Sequence, residues 1–310
     1  MKLLINEPIH MNTRIFRWLI GITLLLVQCQ ANNKSNKDSS GILLDSLTNP
    51  DTIKVDSNNR VTYMLLSPNE ILGEIFIEKN ALNLQLINPI ANSEKYVDTK
   101  HQALNLGIYI ADFAYLNLNE NKTNALEYFK TIRDLAQKIN IYGYFNKEFF
   151  DRIEKNLARN DSLIRISQEM YYAMSDLLEN SSRQNIFALI SSGALIESLY
   201  LSTMNVAKFT DYQNIAKKIF EQKFIFDSFY DFTYAYRNDA DVRAILRQLD
   251  TLKKILQDAE KRSTAKTVSE GEGNKVIISG GDDIQVNDKI FNSFKENVVK
   301  TRLEIVNVSK

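Results

Sequence analysis

The stretch "NIFALISSGALIESLYLSTM", residues 185–204, decides the fold. From Ile186 to Val206 it is apolar on nearly every helical face, interrupted by Ser191, Ser192, Ser198, Thr203 and Glu197. A helix that is apolar all round is buried inside a protein or inside a bilayer. As a membrane span it would place the Glu197 carboxylate near the bilayer centre, at a cost of about 3 kcal/mol. A central core helix is the better expectation, with the small run Ser191–Ala194 letting neighbouring helices approach closely. Such a helix needs partners on all sides, so the rest of the chain should supply amphipathic helices around it.

The flanking sequence meets that need. All four prolines lie at or before residue 89, leaving 221 residues without that helix breaker. "SPNEILGEIFIEKN" from Ser67 reads as a capped helix start, with Pro68 at the first helical position and Glu70 as the capping-box acid. Further helical patterns run over about 97–118, after Thr123, over "NKEFFDRIEKNLARN" behind Asn146, and from Asp161. Two or three more fill 210–262. A last helix spans about 287–305, capped by Asn287, with Ile290, Phe294, Val298 and Leu303 expected on one side. Connections of two to six residues favour antiparallel neighbours. A low-complexity break near 263–275 precedes "VIISGGDDIQV", where two short β-type runs around Gly-Gly-Asp-Asp suggest a small C-terminal β-hairpin. The fold class expected is therefore all-α: an irregular antiparallel helical bundle or α-α superhelix, formed as a single domain over residues 61–310.

Residues 1–28 have a different character. Arg14 and Arg17 precede a ten-residue apolar block, Trp18–Val27, too short to span a bilayer. This is the layout of an export signal, and Met11 fits its true start. "LVQC" resembles the lipobox of bacterial lipoproteins, with Gln28 standing where a small residue is preferred. That resemblance implies lipidation of Cys29, the only cysteine, on sulfur. A lone thiol in an exported chain has no intramolecular disulfide partner. Residues 29–60, rich in Asn, Ser, Asp and Lys, read as a flexible tether. "DSL" and "DTI" within it resemble an O-glycosylation signal of exported Bacteroidota proteins and make Ser46 and Thr52 candidate acceptors.

Composition narrows the chemistry. Removing Lys2, Arg14, Arg17 and Glu7 with the signal leaves 35 basic and 37 acidic residues, a net charge of −2, which argues against a nucleic-acid partner. The mature chain keeps one histidine, His101, so zinc sites built on several His or Cys ligands and Cys-His catalytic pairs are excluded. No cofactor or metal is expected. Carboxylates remain: Glu197 and Asp112 both sit in apolar helical contexts, with His101 three turns before Asp112. The three are the catalytic candidates if they line a pocket into which Gly107 and Gly193 admit a ligand or another backbone. The alternative is that each carboxylate bonds a neighbour and fixes helix register. The aromatic run "FIFDSFYDFTYAYR", 224–237, should be mostly core, any exposed ring serving as a contact surface.

The segment running from "LNLGIYIADFAYLNL" to "ALISSGALIESLYL", roughly residues 100–205, resembles a set of uncharacterised helical lipoproteins of Bacteroidota. The resemblance implies an α-helical protein anchored by lipid in the cell envelope and supplies no activity. The function expected is a non-catalytic binding or scaffolding lipoprotein, its partner another envelope protein or a small ligand. The alternatives are a carrier with an apolar pocket and a hydrolase or lyase using the buried carboxylates.

Overall fold

A computed structural model describes residues 63–76, 82–141, 143, 147–156, 159–206, 209, 213–260, 267–271, 275–279 and 286–308. The signal segment, Cys29, Ser46, Thr52 and Asn146 lie outside the described residues. Among the described residues there are ten α-helices, in chain order: α1 Pro68–Ile75, α2 Thr99–Leu118, α3 Lys122–Lys138, α4 Lys147–Asn156 and α5 Asn160–Asn180. They continue as α6 Gln184–Met204, α7 Gln213–Glu221, α8 Lys223–Ala235, α9 Ala240–Glu260 and α10 Asp288–Val306. A 3-10 helix, Ile90–Lys95, precedes α2.

The architecture is an all-α bundle built around α6. Phe187–Thr203 is buried at every position except Tyr200, and Gln102–Asn117 of α2 is buried throughout. By length and composition α6 is apolar enough to cross a membrane, yet 89% of its apolar window is covered by the protein itself. It is the core helix that its all-round hydrophobicity predicts. A Cβ on Gly107 would stand 2.0 Å from the Ile190 carbonyl oxygen, and one on Gly193 2.0 Å from that of Leu104. No side chain fits either gap, so glycine lets the α2 and α6 backbones touch. Of the two expectations for these glycines, the approach of another backbone is the one realised.

The helices end cleanly without glycine. Glu120, Asn140 and Ser182 adopt left-handed φ angles of 55–57° just past α2, α3 and α5. The following residues then bond back across the last turn: Asn121 N–H to Leu116 O, Ile141 N–H to Ala136 O and Arg183 N–H to Leu178 O, at 2.7–2.9 Å. The Arg183 guanidinium also donates to the Ile139 and Asn140 carbonyls, placing a cation on the negative end of α3. At the other ends, Asp98 and Asn287 accept the third backbone N–H of α2 and α10, from His101 and Ile290. Glu70 closes the capping box on Ser67 N at 2.7 Å.

Two expectations need correction. The hairpin pairs Thr267–Gly271 with Lys275–Ser279, antiparallel, from Thr267↔Ser279 to Gly271↔Lys275. Its first strand therefore occupies the stretch read as a low-complexity break, and the connection falls at 272–274, ahead of the Gly-Gly-Asp-Asp segment. The inward face of α10 is also turned from the expected one. Phe291, Phe294, Val298, Arg302 and Ile305 point inward, while Leu303 is 44% exposed. The spacing of three and four residues runs through an arginine, and the neighbouring leucine drew the reading away from it.

Candidate functional site

The burial of α6 carries Glu197 into the core, and the same holds for Asp112 on α2. Both are fully buried. Glu197 lies four residues beyond Gly193 and Asp112 five beyond Gly107. The two carboxylates meet within hydrogen-bonding reach, so α2 and α6 run in the same direction from their glycine crossing. The third member is Arg302 of α10, 8% exposed. Its Nε donates to Glu197 Oε2 at 3.0 Å and its Nη2 to Oε1 at 3.2 Å, a two-point contact. The guanidinium carbon lies 4.6 Å from the centre of the Tyr200 ring, one turn along α6 from Glu197. Arg302 was missed in the sequence. Its only signal is that it falls four residues after Val298, on the buried stripe of α10.

The segment between α1 and α2 closes the cluster. Asn88 N–H donates to Asp112 Oδ2 at 3.0 Å, and Arg302 Nη2 donates to the Leu86 carbonyl at 3.2 Å. Asn88 is itself a fully buried hub. Its Nδ2 donates to Tyr96 Oη at 3.0 Å, its carbonyl accepts from Tyr128 at 2.9 Å, and its Oδ1 accepts from Asn92 at 2.7 Å. Tyr109 donates to the Pro89 carbonyl at 2.9 Å, and Tyr96 to the Val306 carbonyl at 3.3 Å. Asn105 donates to the Ile305 carbonyl at 3.0 Å. One polar network thus ties the 86–96 segment, α2, α3, α6 and α10 together.

Electrostatics places one proton in this cluster. Burial pushes the Asp112 carboxyl well above the ordinary carboxylate range, and the neighbouring Glu197 charge pushes it further. Burial also raises Glu197, but the Arg302 guanidinium pulls it back. Of the two, Asp112 is the one whose ionisation burial and its neighbour oppose most, and so the one better suited to hold a proton. Its Oδ1 has no acceptor role to fill among the described residues, which fits a carboxylic acid donating to the Glu197 carboxylate. The trio is then neutral: one cation, one anion and one acid. Burial raises the Tyr109 and Tyr128 hydroxyls as well, so they act as donors at any physiological pH.

His101 does not join. It sits in the partly exposed first turn of α2, with Nδ1 2.6 Å from Asp98 Oδ2. The three residues expected to line one pocket are two that meet and one bound locally to a helix cap. A proton shared between two carboxylates is a recurrent acid–base device. It needs substrate access, and Asp112 and Glu197 are fully buried and line none of the clefts formed by α2, α9 and α10. Among the described residues no group of three or more His, Cys, Asp or Glu is arranged to hold a metal ion.

The aromatic run on α8 divides as its helical faces dictate. Phe226, Phe229 and Phe232 are core, while Phe224 and Tyr234 are 42% and 47% exposed. Tyr230 and Tyr234 stack with ring centres 6.1 Å apart. Lys253 Nζ lies 3.6 Å from the Tyr230 ring centre, and Arg237 covers Tyr234 at 4.4 Å. These contacts cover part of the Tyr230 and Tyr234 rings, while Phe224 stays exposed. No family model matches this chain, and neither a curated protein nor a solved structure does.

Proposed function

We propose that this chain is a lipid-anchored, non-catalytic helical module of a bacterial envelope that works by binding or scaffolding. The observation that carries the non-catalytic half is the closure of the Asp112–Glu197–Arg302 cluster. The best acid–base constellation in the sequence is spent on a two-point ion pair, a backbone contact and a shared proton. Groups used in this way join helices. The anchor half is supported by the sequence, in which a short apolar signal breaks at Cys29 and a polar stretch separates it from the helices.

The test is fractionation of cells expressing the wild type and Cys29→Ser, combined with labelling by an alkyne fatty acid and mild crosslinking. The wild type should sediment with membranes and take up the label, and the variant should do neither. A Cys29→Ser chain that stays in the membrane fraction refutes the anchor. Crosslinked partners that co-purify with the wild type would identify what is scaffolded.

A second reading, a hydrolase or lyase, draws on the convergence of two carboxylates with raised pKa values. It requires a route for substrate to Asp112. Glu197→Gln distinguishes the readings. Retained stability with loss of a screened activity favours the enzyme, and a large stability loss with no activity to lose favours the structural role.

A further inference from the structure

The polar faces of α9 and α10 open a cleft of about 450 Å³ against the first turn of α2. Arg247, Gln248 and Thr251 face it from α9, and Lys300, Thr301 and Glu304 from α10. In each helix these residues recur at three- and four-residue spacing, so each set forms one stripe. Lys100 completes the cleft from α2. A narrower recess continues inward past Gln248 to His101, Leu104 and Ile305.

The cleft is locally basic in a chain with 38 basic and 38 acidic residues. Several cations elsewhere are matched locally, as in Lys130–Glu127, Arg152–Glu169 and Lys223–Asp227. Lys100, Arg247 and Lys300 converge on one cavity with no acidic partner among the described residues. Glu304 is the one acid among the described lining residues, and its carboxylate already accepts from Gln248 Nε2. Three cations against one acid leave a surplus that concentrates anions in a concave site.

Two further groups give the site a finer chemistry. Thr301 is 5% exposed and lines the cleft, and its hydroxyl has no partner among the described residues. The Gln248 Oε1 atom is buried and has no partner. A buried polar atom left unpaired costs free energy, and a ligand that pairs with it recovers that cost. Thr301 can donate to an oxyanion, whereas Gln248 Oε1 can only accept. Cations with one donor suit a phosphate, and the lone acceptor suits a hydroxyl beside it.

We infer that the α2–α9–α10 cleft binds a phosphorylated polyol, the phosphate held by Lys100, Arg247 and Lys300 and a hydroxyl by Gln248. The α2 terminus is not what makes the site, because Asp98 already caps it. Free glycerol phosphates and sugar phosphates share this chemistry with glycerol-bearing lipid headgroups. The inference goes beyond the anchored-module reading and does not rest on it: a failed phosphate titration leaves Cys29 acylation untouched, and an unacylated Cys29 leaves the cleft intact.

The experiment is calorimetric titration of the full chain, in neutral detergent at low salt, with glycerol 3-phosphate and with short-chain dihexanoyl phosphatidylglycerol. Glycerol and dihexanoyl phosphatidylcholine serve as controls. Arg247 and Lys300 are exposed and Lys100 is half-buried, and Lys100→Gln, Arg247→Gln and Lys300→Gln should leave the circular dichroism melt unchanged. Each should weaken binding about tenfold or more, and Thr301→Val about threefold. Lys130→Gln, on α3, should leave binding as it is. Saturable glycerol 3-phosphate binding that follows this pattern supports the site with a free phosphate as ligand. Phosphatidylglycerol binding at least tenfold tighter, lost in the same variants, supports it with a lipid headgroup. No saturable binding of either, or binding that falls equally in Lys130→Gln, overturns it.

Discussion

At the scale of single residues, the buried trio acts through geometry more than through charge. Arg302 presents a planar fork that meets both Glu197 oxygens and lies against Tyr200. A lysine offers one point charge and no plane. Arg302→Lys should therefore destabilise the fold by about 2–4 kcal/mol although the charge is kept, as measured by urea denaturation. Glu197→Gln should cost more, about 3–5 kcal/mol, because it leaves the Arg302 charge buried without its counterion. A Glu197→Gln chain as stable as the wild type would show that the guanidinium finds water or that Asp112 ionises to replace the lost counterion. The two carboxylates were legible in the sequence because a charge in an apolar helix demands a partner. Their partner was not, because a charged residue on an otherwise mixed helix such as α10 reads as solvated. Only the packing of α10 against α6 turns Arg302 inward.

At the scale of helices, the crossing of α2 and α6 is set by what is missing from their side chains. Gly107→Ala and Gly193→Ala each drive a methyl group to within 2.0 Å of a backbone carbonyl oxygen on the other helix. Main chain at that distance cannot rotate away as a side-chain tip can, so the helices must separate and the carboxylates with them. Each variant should lose at least about 3 kcal/mol, at or above the upper end for overpacked cores, or fail to fold. Gly73 in α1 is the contrasting case: a Cβ there meets nothing within 4 Å. Gly73→Ala should stabilise by about 0.5–1 kcal/mol through helix propensity alone. Thermal melts of the three variants should rank them in that order, and a neutral Gly107→Ala would mean the helices sit farther apart. The close approach was readable from the small-residue run in α6 and from Gly107 in α2, but not that these two helices are each other's partners, since sequence spacing says nothing about which helices cross. The α10 face differs from the expected one for a related reason: the buried spacing passes through Arg302, and the apolar Leu303 beside it faces outward.

At the scale of the whole molecule, proline-free amphipathic segments around one all-apolar helix were enough to fix an all-α bundle. They did not fix the parallel pairing of α2 and α6, which only the meeting of Asp112 and Glu197 reveals. That meeting makes global stability depend on pH in a way the wild-type sequence alone hides. The unfolded chain releases the Asp112 proton near the ordinary value of about 4. The folded chain holds it to a higher pH, because burial and Glu197 oppose ionisation. Below the unfolded value both states carry the proton, and the site contributes its full stability. Above it the native state alone binds the proton, so stability falls by about 1.4 kcal/mol per pH unit until the folded chain also ionises. Asp112→Asn removes that titration while keeping the shape, since the amide oxygen can accept from Asn88 N–H and the amide nitrogen can donate to Glu197. The variant should match the wild type near pH 4 and exceed it at pH 8, the gap widening between and then levelling off. Urea denaturation of both proteins from pH 4 to 9 measures the gap directly, with other titrating groups cancelling in the difference. A gap that stays constant across that range would mean Asp112 is ionised in the folded protein, and the proton would then have to be sought on Glu197.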